Sequence, residues 1–390
     1  MNRREFMMSA ASGALLLPLA SSPIFAEPGQ APITRWHVGT AEGLDAVTFL
    51  GALSGGALYL KHYAKEADQF GKTLPPAALS DLRALRDEAD KAGFGLLWPG
   101  LVTIFSGADF ATLQSIIASA DQPEKLLKPG YASSSFWSES DWAWFAAAAP
   151  RLRTVFQSML DAGFPAFRRS LVGPSLDQRA AQLQEELQRF DVIQLQRKLT
   201  GNSYDPDIRI VLLHFSKPHG VRVQNQSFLQ AADYDLSVTL RIAGHEILHP
   251  PIDMDGPVAK RVLSRLNRDP LLKRIVKEHD PKWGYTSLDG LLNEDLCQAL
   301  DEIVAETLGV AHNPADRWRN SDDGMHVLAA GLYGLLRTDG WEREGGSISQ
   351  WLDRAERSGR LTPARLHPVA ARVLERPVGK LWPLSEAKGA

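Results

Sequence analysis

The chain of 390 residues is poor in cysteine and in net charge: it has one cysteine, Cys297, and a formal net charge of -3. A single cysteine cannot form an intrachain disulfide, so the folded chain must depend on its core for stability. The near balance of acidic and basic residues leaves no strong basic patch for nucleic acid or an anionic membrane surface. We therefore expect a globular protein with no nucleic-acid partner.

Several motifs that often indicate a function are also missing. The chain has no G-x-S-x-G sequence, no P-loop and no dinucleotide-binding fingerprint, and Cys297 has no evident activating partner. The most apolar stretch beyond the N-terminus, residues 43–60, contains Asp45 and four glycines. We expect it to form a buried pair of helices rather than a membrane span.

The N-terminus has the features of a targeting segment. Residues 3–7 read Arg-Arg-Glu-Phe-Met and resemble the twin-arginine export signal, R-R-x-F followed by an apolar residue. A weakly apolar stretch, residues 10–20, and a small-residue cleavage site after Ala26 follow. We predict a signal peptide over residues 1–26, a periplasmic location and no stable membrane insertion after cleavage. An uncleaved N-terminal anchor is the alternative, although the apolar stretch is short for a bilayer span.

The remaining chain changes character near residue 203. Before it, periodic apolar residues predict helices over residues 77–92 and 177–199, so residues 27–202 form a helical N-terminal region. After it, residues 207–215 and 221–225 have strand patterns and flank a turn. Strands followed by helices predict a mainly α, α+β chain with a small antiparallel sheet in a second domain, residues 203–390.

Residues 245–249 read His-Glu-Ile-Leu-His, the pattern H-E-x-x-H, at the end of a largely apolar run. On a helix, residues four apart share a face, so the imidazoles of His245 and His249 can reach one metal ion. Glu246 lies beside that ion, where it can accept a proton from a metal-bound water. Pro250 and Pro251 follow at once and predict that the helix ends at His249.

A catalytic zinc site needs a third protein ligand and an open position. The carboxylate-rich helix predicted over residues 291–309 offers several candidates. Helical phase directs Glu294 and Asp301 away from the apolar face, toward water. It places three acids nearer the border, where a carboxylate can meet a buried metal: Glu306, Asp295 and Glu302.

Residues 300–309 resemble the glutamate-ligand helix of gluzincins, the thermolysin-like zinc peptidases, whose pattern is E-x-x-[AS]-[DE]. The resemblance implies that Glu302 is the third zinc ligand and that Glu306 orients a zinc-bound histidine. Glu294 is the rival ligand, because an Asn-Glu pair also occurs at this position in several gluzincins. The resemblance spans residues 208–309 at most and implies a zincin-like metallohydrolase domain.

These features together predict an exported zinc metallopeptidase with one zinc ion per chain and a peptide or protein substrate. His245, His249 and Glu302 hold the zinc, and Glu246 is the general base. Tyr285 and His326 are further candidates, for stabilising the oxyanion. Twin-arginine export fits this prediction, because that route carries folded proteins, often with a cofactor in place.

Two alternatives stay open at this level. An exported helical binding or structural protein could carry a non-catalytic or accidental H-E-x-x-H, and the prolines behind His249 favour this hypothesis. A zinc enzyme could also act on a non-peptide amide or ester, which only a substrate screen distinguishes from a peptidase.

Overall fold

The structure, a computed structural model, describes residues 8–9, 32–134, 136–280 and 283–383. Apart from Met8–Ser9, the predicted signal peptide lies outside these residues, so its cleavage stays a prediction. The described chain is mainly helical with a small mixed sheet, which confirms the mainly α, α+β class.

The chain folds as two compact units, and each unit is built from segments that are not contiguous in the sequence. Among the described residues, the first comprises residues 8–9, 36–187 and 207–235, and the second comprises residues 32–35, 188–206 and 236–383. This division differs from the predicted boundary between residues 202 and 203. The predicted strands belong with the N-terminal helices, whereas the segment just before them belongs with the C-terminal helices.

The first unit is a set of helices with the sheet. Its helices are α1 (Glu42–Leu53), α2 (Ala57–Gly71), α3 (Pro76–Lys91), α4 (Leu97–Phe105), α5 (Leu113–Asp121), α6 (Pro123–Leu126), α7 (Lys128–Ser133), α8 (Glu139–Asp161), α9 (Phe164–Val172) and α10 (Ser175–Leu187). Its strands are β1 (Met8–Ser9), β2 (Arg35–Thr40), β3 (Asp207–Leu213), β4 (His219–Val223) and β5 (Ser227–Ala231). They form one sheet in the order β1-β4-β5-β3-β2.

The sheet is mixed rather than antiparallel, so that part of the sequence prediction is wrong. β5, which was not predicted, inserts between the two predicted strands: it pairs antiparallel with β4 and parallel with β3. Leu229 of β5 lies opposite Val221 on one side and Val211 on the other. β3 and β4 are therefore not a hairpin pair, although they are consecutive in the chain.

The predicted apolar helix pair is present as α1 and α2. Residues of α1 from Gly43 to Leu53 are all buried in the first unit. Within the described ranges, no helix by itself has both the length and the apolar character to cross a membrane. α1 and α2 meet that test only together, by length and composition alone, and they are bent by 107° at the break between them.

The core of the first unit encloses one carboxylate. Asp45 on α1 is fully buried and accepts hydrogen bonds from the backbone N–H groups of His214 and Phe215, at 2.7 and 3.0 Å. Nε of Arg168 on α9 donates a third hydrogen bond to it at 2.6 Å. These bonds join α1, α9 and the end of β3.

The second unit is helical. Its helices are α11 (Val192–Thr200), α12 (Leu236–Glu246), α13 (Pro257–Leu266), α14 (Pro270–Glu278), α15 (Leu288–Leu308), α16 (Pro314–Asn320), α17 (Val327–Thr338), α18 (Trp341–Glu344), α19 (Ile348–Arg357) and α20 (Pro363–Val373). α15 is its central element, because α11, α12, α13, α14 and α17 all pack against it. Its residues from Gly290 to Ala305 are buried on every face.

The amphipathic pattern over residues 177–199 predicted one helix, but the structure contains two, α10 and α11. Asp191 interrupts the pattern by capping α11, with Oδ1 accepting the backbone N–H of Gln194 at 3.1 Å. The same carboxylate also accepts the backbone N–H groups of Ile33 and Thr34. The periodicity of apolar residues does not reveal such a helix break, because the apolar side chains before and after it keep the same spacing.

Candidate metal centre

The histidine motif lies where α12 ends. The helix stops at Glu246, three residues earlier than predicted, and Leu248 N–H closes a tighter turn onto the carbonyl of His245 at 3.0 Å. Pro250 and Pro251 prevent the helix from resuming after this turn, because neither has an N–H to donate to the carbonyls of Glu246 and Ile247. The side-chain amide of Gln196 on α11 donates to the carbonyls of Ala243 and Gly244, at 3.3 and 3.1 Å.

Close packing brings α12 against α15. Gly244 makes this possible, since a Cβ there would lie 3.3 Å from Cγ1 of Val304 on α15. The residue that follows, His245, is therefore held next to the buried carboxylates of α15.

Three side chains converge at this contact. Nε2 of His249 is 2.9 Å from Nε2 of His245, and these nitrogens lie 3.4 and 3.6 Å, respectively, from the two carboxylate oxygens of Glu294. Their ligand atoms all lie within 4.8 Å of one another, so the group could hold a metal ion. The three residues are 2%, 4% and 2% exposed for His245, His249 and Glu294.

The separations fit a zinc-sized ion. Zinc binds imidazole nitrogen and carboxylate oxygen at about 2.0–2.2 Å, and a tetrahedral arrangement then places its ligand atoms about 3.3–3.5 Å apart. The nitrogen–oxygen separations of 3.4 and 3.6 Å lie in or just above this range, whereas the nitrogen–nitrogen separation of 2.9 Å is a hydrogen-bond distance that would widen by about 0.4–0.6 Å around an ion. Two imidazoles and one carboxylate are also a donor set that zinc accepts, with a fourth position left for water or substrate.

The electrostatics of the group also favour a cation. Burial alone would lower the pKa of His245, but the negative charges of Glu294 and Asp301 outweigh it and raise the pKa to about 9. The pKa of Glu294 falls well below its usual range, because the two imidazoles overcome the cost of burying its charge. Without an ion, the group therefore holds a proton where a metal would supply positive charge.

A second layer of side chains orients the imidazoles. Oδ2 of Asp301 accepts the N–H of Nδ1 of His245 at 2.6 Å, which directs Nε2 of the same ring toward Glu294; that nitrogen must lose its proton before it can bind a metal. Sγ of Cys297 lies 3.2 Å from Nδ1 of His249. The outer nitrogen of each ring is thus occupied by a residue of α15, and both inner nitrogens face the same carboxylate.

Glu302, the predicted third ligand, is not in this group. Its Oε2 accepts a hydrogen bond from Nη1 of Arg317 at 2.6 Å, and burial raises its pKa to about 7 despite that cation. Glu306, predicted to orient a histidine, instead accepts a hydrogen bond from the Tyr333 hydroxyl and pairs with Arg337 at 3.3 Å. The rival candidate Glu294 lies within metal-binding distance of both histidines, and Asp301 is the acid that hydrogen-bonds His245.

The error arose from the environment assigned to α15. Helical phase correctly places Glu294 and Asp301 on one face, two turns apart, but that face is buried rather than wet: the two residues are 2% and 4% exposed. One sequence signal was available. The 21 residues of α15 contain six acidic residues and no Lys, Arg or His, so cations from other elements must neutralise them.

Glu246 is buried beside the metal-binding group, at 1% exposure. It is not among the three converging ligands. Its charge nevertheless contributes to the raised pKa of His245, so the carboxylate lies close to the centre. The position next to the first histidine is the one expected for a general base.

The two further candidates lie nearby. Tyr285 is buried beside Glu294, and burial together with that carboxylate raises the pKa of its phenol well above the usual value. Its backbone φ of 54° is unusual for a residue other than glycine. Tyr285 therefore lies close to the three converging side chains.

His326 instead hydrogen-bonds two other carboxylates. Its Nδ1 lies 2.6 Å from Asp295 and its Nε2 lies 3.0 Å from Asp322. Burial would lower the pKa of His326, but the two carboxylates dominate and raise it to about 10. Both ring nitrogens are thus engaged by acids, and its ring packs edge-on against Tyr285, with centroids 5.6 Å apart.

Comparison of the chain with protein-family models, curated proteins and solved structures finds no match. The interpretation of this centre therefore depends on its donor atoms, their separations and the residues around them.

Proposed function

We propose that the chain is a zinc-dependent hydrolase that cleaves peptide bonds. The observation that carries this proposal is the convergence of His245, His249 and Glu294, with Glu246 beside the first histidine. Two imidazoles, one carboxylate and an adjacent carboxylate base make up the residues that metal-assisted hydrolysis requires. Glu294 thus replaces Glu302 as the proposed third ligand.

Zinc held by His245, His249 and Glu294 would supply a Lewis acid for the substrate carbonyl and would lower the pKa of water toward neutrality. Glu246 would act as the general base that accepts a proton from the attacking water and returns it to the leaving amine. Asp301 keeps the His245 ring in the orientation that directs Nε2 to the centre.

The substrate and the location are part of the same proposal. A peptide or protein substrate is supported by the resemblance to gluzincins at the H-E-x-x-H motif and its carboxylate-rich helix. A periplasmic location is supported by the twin-arginine-like N-terminus. A non-peptide amide or ester needs the same chemistry, so a substrate panel containing all three bond types decides between them.

The experiment that tests the proposal separates metal binding from hydrolysis. The purified mature protein, prepared without chelators, is expected to contain one zinc ion, and the His245→Ala, His249→Ala double variant is expected to contain none. Glu246→Gln is expected to retain zinc and to lose hydrolysis by about 10²–10⁴-fold, the usual contribution of a general base. Glu306→Gln is the matched control, because Glu306 contacts Tyr333 and Arg337 instead of the centre.

Either of two results contradicts the proposal. Stoichiometric zinc in the double histidine variant places the ion elsewhere. Undiminished hydrolysis by Glu246→Gln removes the assigned base.

A non-catalytic metal site is the second candidate, and burial favours it. The three ligands and Glu246 are each at most 4% exposed, as in sites where a metal only stabilises a fold. This interpretation predicts stoichiometric zinc, loss of stability on chelation and no hydrolysis of any substrate in the panel. Glu246→Gln then changes neither zinc content nor any activity.

A further inference from the structure

We propose that Arg317 is a positioning residue of the metal centre, which acts through Asp301 to fix the orientation of His245. The inference rests on the proposed metal site and adds a residue that is outside the H-E-x-x-H motif and the carboxylate helix. It also gives a role to Glu302, which is buried next to Asp301 without reaching the ligands.

The guanidinium of Arg317 forms a bidentate pair of hydrogen bonds with the carboxylate of Asp301. Nη1 donates to Oδ1 at 2.5 Å and Nη2 donates to Oδ2 at 2.9 Å. Two parallel bonds from a planar guanidinium fix the plane and the direction of a carboxylate, which a single bond or a point charge does not. Arg317 is almost entirely enclosed, with a side chain 12% exposed, so water competes little for these bonds.

Asp301 in turn fixes the orientation of His245, a proposed metal ligand. Its Oδ2 accepts from Nη2 of Arg317 and also from Nδ1 of His245, at 2.6 Å. A change in the carboxylate plane would therefore turn the imidazole and move its Nε2 away from Glu294 and His249. Partners of this kind typically change metal affinity by about 10–100-fold when they are altered.

Glu302 holds Arg317 from a third direction. Its Oε2 accepts from Nη1 at 2.6 Å, the same nitrogen that binds Asp301. The guanidinium is thus clamped between consecutive acids of α15, which explains why both are buried. In the described part of the chain, Oε1 of Glu302 has no hydrogen-bond partner, so Arg317 is the partner that holds this side chain.

The helix that carries Arg317 has an independent anchor. Nε1 of Trp318 donates to Oε1 of Gln298 on α15 at 2.8 Å, and Trp318 is fully buried. α16 therefore stays attached to α15 when the arginine is changed. Arg317→Lys keeps the positive charge and removes only the two-armed geometry, which makes it the informative substitution.

The test measures zinc affinity of the full mature protein by competition with a chelator, together with the absorption spectrum of the cobalt-substituted form. Arg317→Lys is expected to weaken zinc binding about tenfold or more and to shift the cobalt spectrum. Arg319→Lys is the matched control on the same helix, since Arg319 pairs with Asp316 near the surface. It should leave both measurements unchanged.

A double-mutant cycle tests whether the effect passes through Asp301. Asp301→Asn should itself weaken zinc binding, and adding Arg317→Lys to it should cause little further loss. Wild-type affinity and spectrum in Arg317→Lys, or an equal further loss in the Asp301→Asn background, would overturn the inference. If Arg317→Lys does not fold, wild-type zinc affinity in Asp301→Asn overturns it equally. A wild-type protein without zinc instead removes the metal site itself, so the two failures are distinguishable.

Discussion

Each unit of this chain buries a carboxylate next to basic groups, and the two are stabilised in different ways. Asp45 in the first unit receives two backbone hydrogen bonds and one from Arg168. Glu294 in the second unit faces two imidazole nitrogens and a tyrosine. Both carboxylates are buried to a similar extent.

The difference shows how a structural acid can be distinguished from a ligand. Asp45 accepts two backbone N–H bonds and pairs with a fixed cation, Arg168, but burial outweighs these partners and raises the pKa of Asp45. Glu294 instead lies close to the Nε2 atoms of two histidines, His245 and His249. The Nδ1 atoms of these rings already contact Asp301 and Cys297, respectively. Without an ion, the positive charge beside Glu294 comes from protonated His245, whose pKa is raised to about 9, and a metal ion bound by the same atoms would take the place of that proton.

Metal removal should therefore have the largest effect and should act on the second unit. Chelation is expected to lower stability by several kcal/mol, and structural zinc sites can reach about 10 kcal/mol. Hydrogen exchange followed by mass spectrometry should show faster exchange in α12 and α15, while α1 keeps its protection. Equal loss of protection around Asp45 would contradict the distinction between the two carboxylates.

Asp45→Asn tests the other side of the comparison. It leaves the buried Arg168 without its counter-charge, so the free energy of unfolding should fall by about 3–5 kcal/mol. Zinc content should not change in protein that remains folded. Denaturant unfolding gives the first quantity and metal analysis the second. Asp81→Asn, an exposed acid near Arg151, serves as the control and should stay within about 0.5 kcal/mol.

A matched pair of substitutions on α15 distinguishes its carboxylates by zinc affinity. Glu294→Gln should weaken zinc binding by more than about 100-fold, since it removes a ligand. Glu302→Gln should change it only slightly, because Glu302 reaches the centre only through Arg317. Chelator competition measures both. The reverse order of effects would restore Glu302 as the ligand.

The last prediction concerns the pH dependence of stability, which is the smallest effect when it is expressed per pH unit. The folded-state pKa of His326 is about 10, above the value of about 6.5 for an unfolded chain. Its stabilisation is therefore complete below pH 6.5 and is lost as the pH rises through 10, with a slope of at most about 1.4 kcal/mol per pH unit. Chemical unfolding of the wild type and His326→Gln between pH 6.5 and 10 should show a steeper decline in the wild type. Parallel curves would contradict the assignment.

The sequence was sufficient for the features that depend on local spacing. The pair His245 and His249 follows from a separation of four residues, and Pro250 and Pro251 indicated that the helix ends close to this pair, although α12 ends at Glu246, three residues before the predicted end. The apolar helix pair α1 and α2 was predicted from composition alone. In each case the information lies within a few residues of the feature.

Features that depend on packing could not be predicted from the sequence. α15 is buried all round, so a helical wheel cannot tell the face that meets α12 from the others, and the gluzincin-like pattern then favoured Glu302. The contact between Gly244 and Val304, which selects that face, joins residues 60 positions apart in the chain. The insertion of β5 between β3 and β4 is equally non-local.

The only cysteine of the chain lies 3.2 Å from a ligand imidazole, that of His249, and is buried. With no second thiol present, a thiol-specific reagent can attach at one position only, next to the proposed ion. The labelling rate of Cys297 would depend on how often the interior of the second unit opens to solvent. Because the chain has one cysteine, this rate would report on the opening of the proposed metal centre alone.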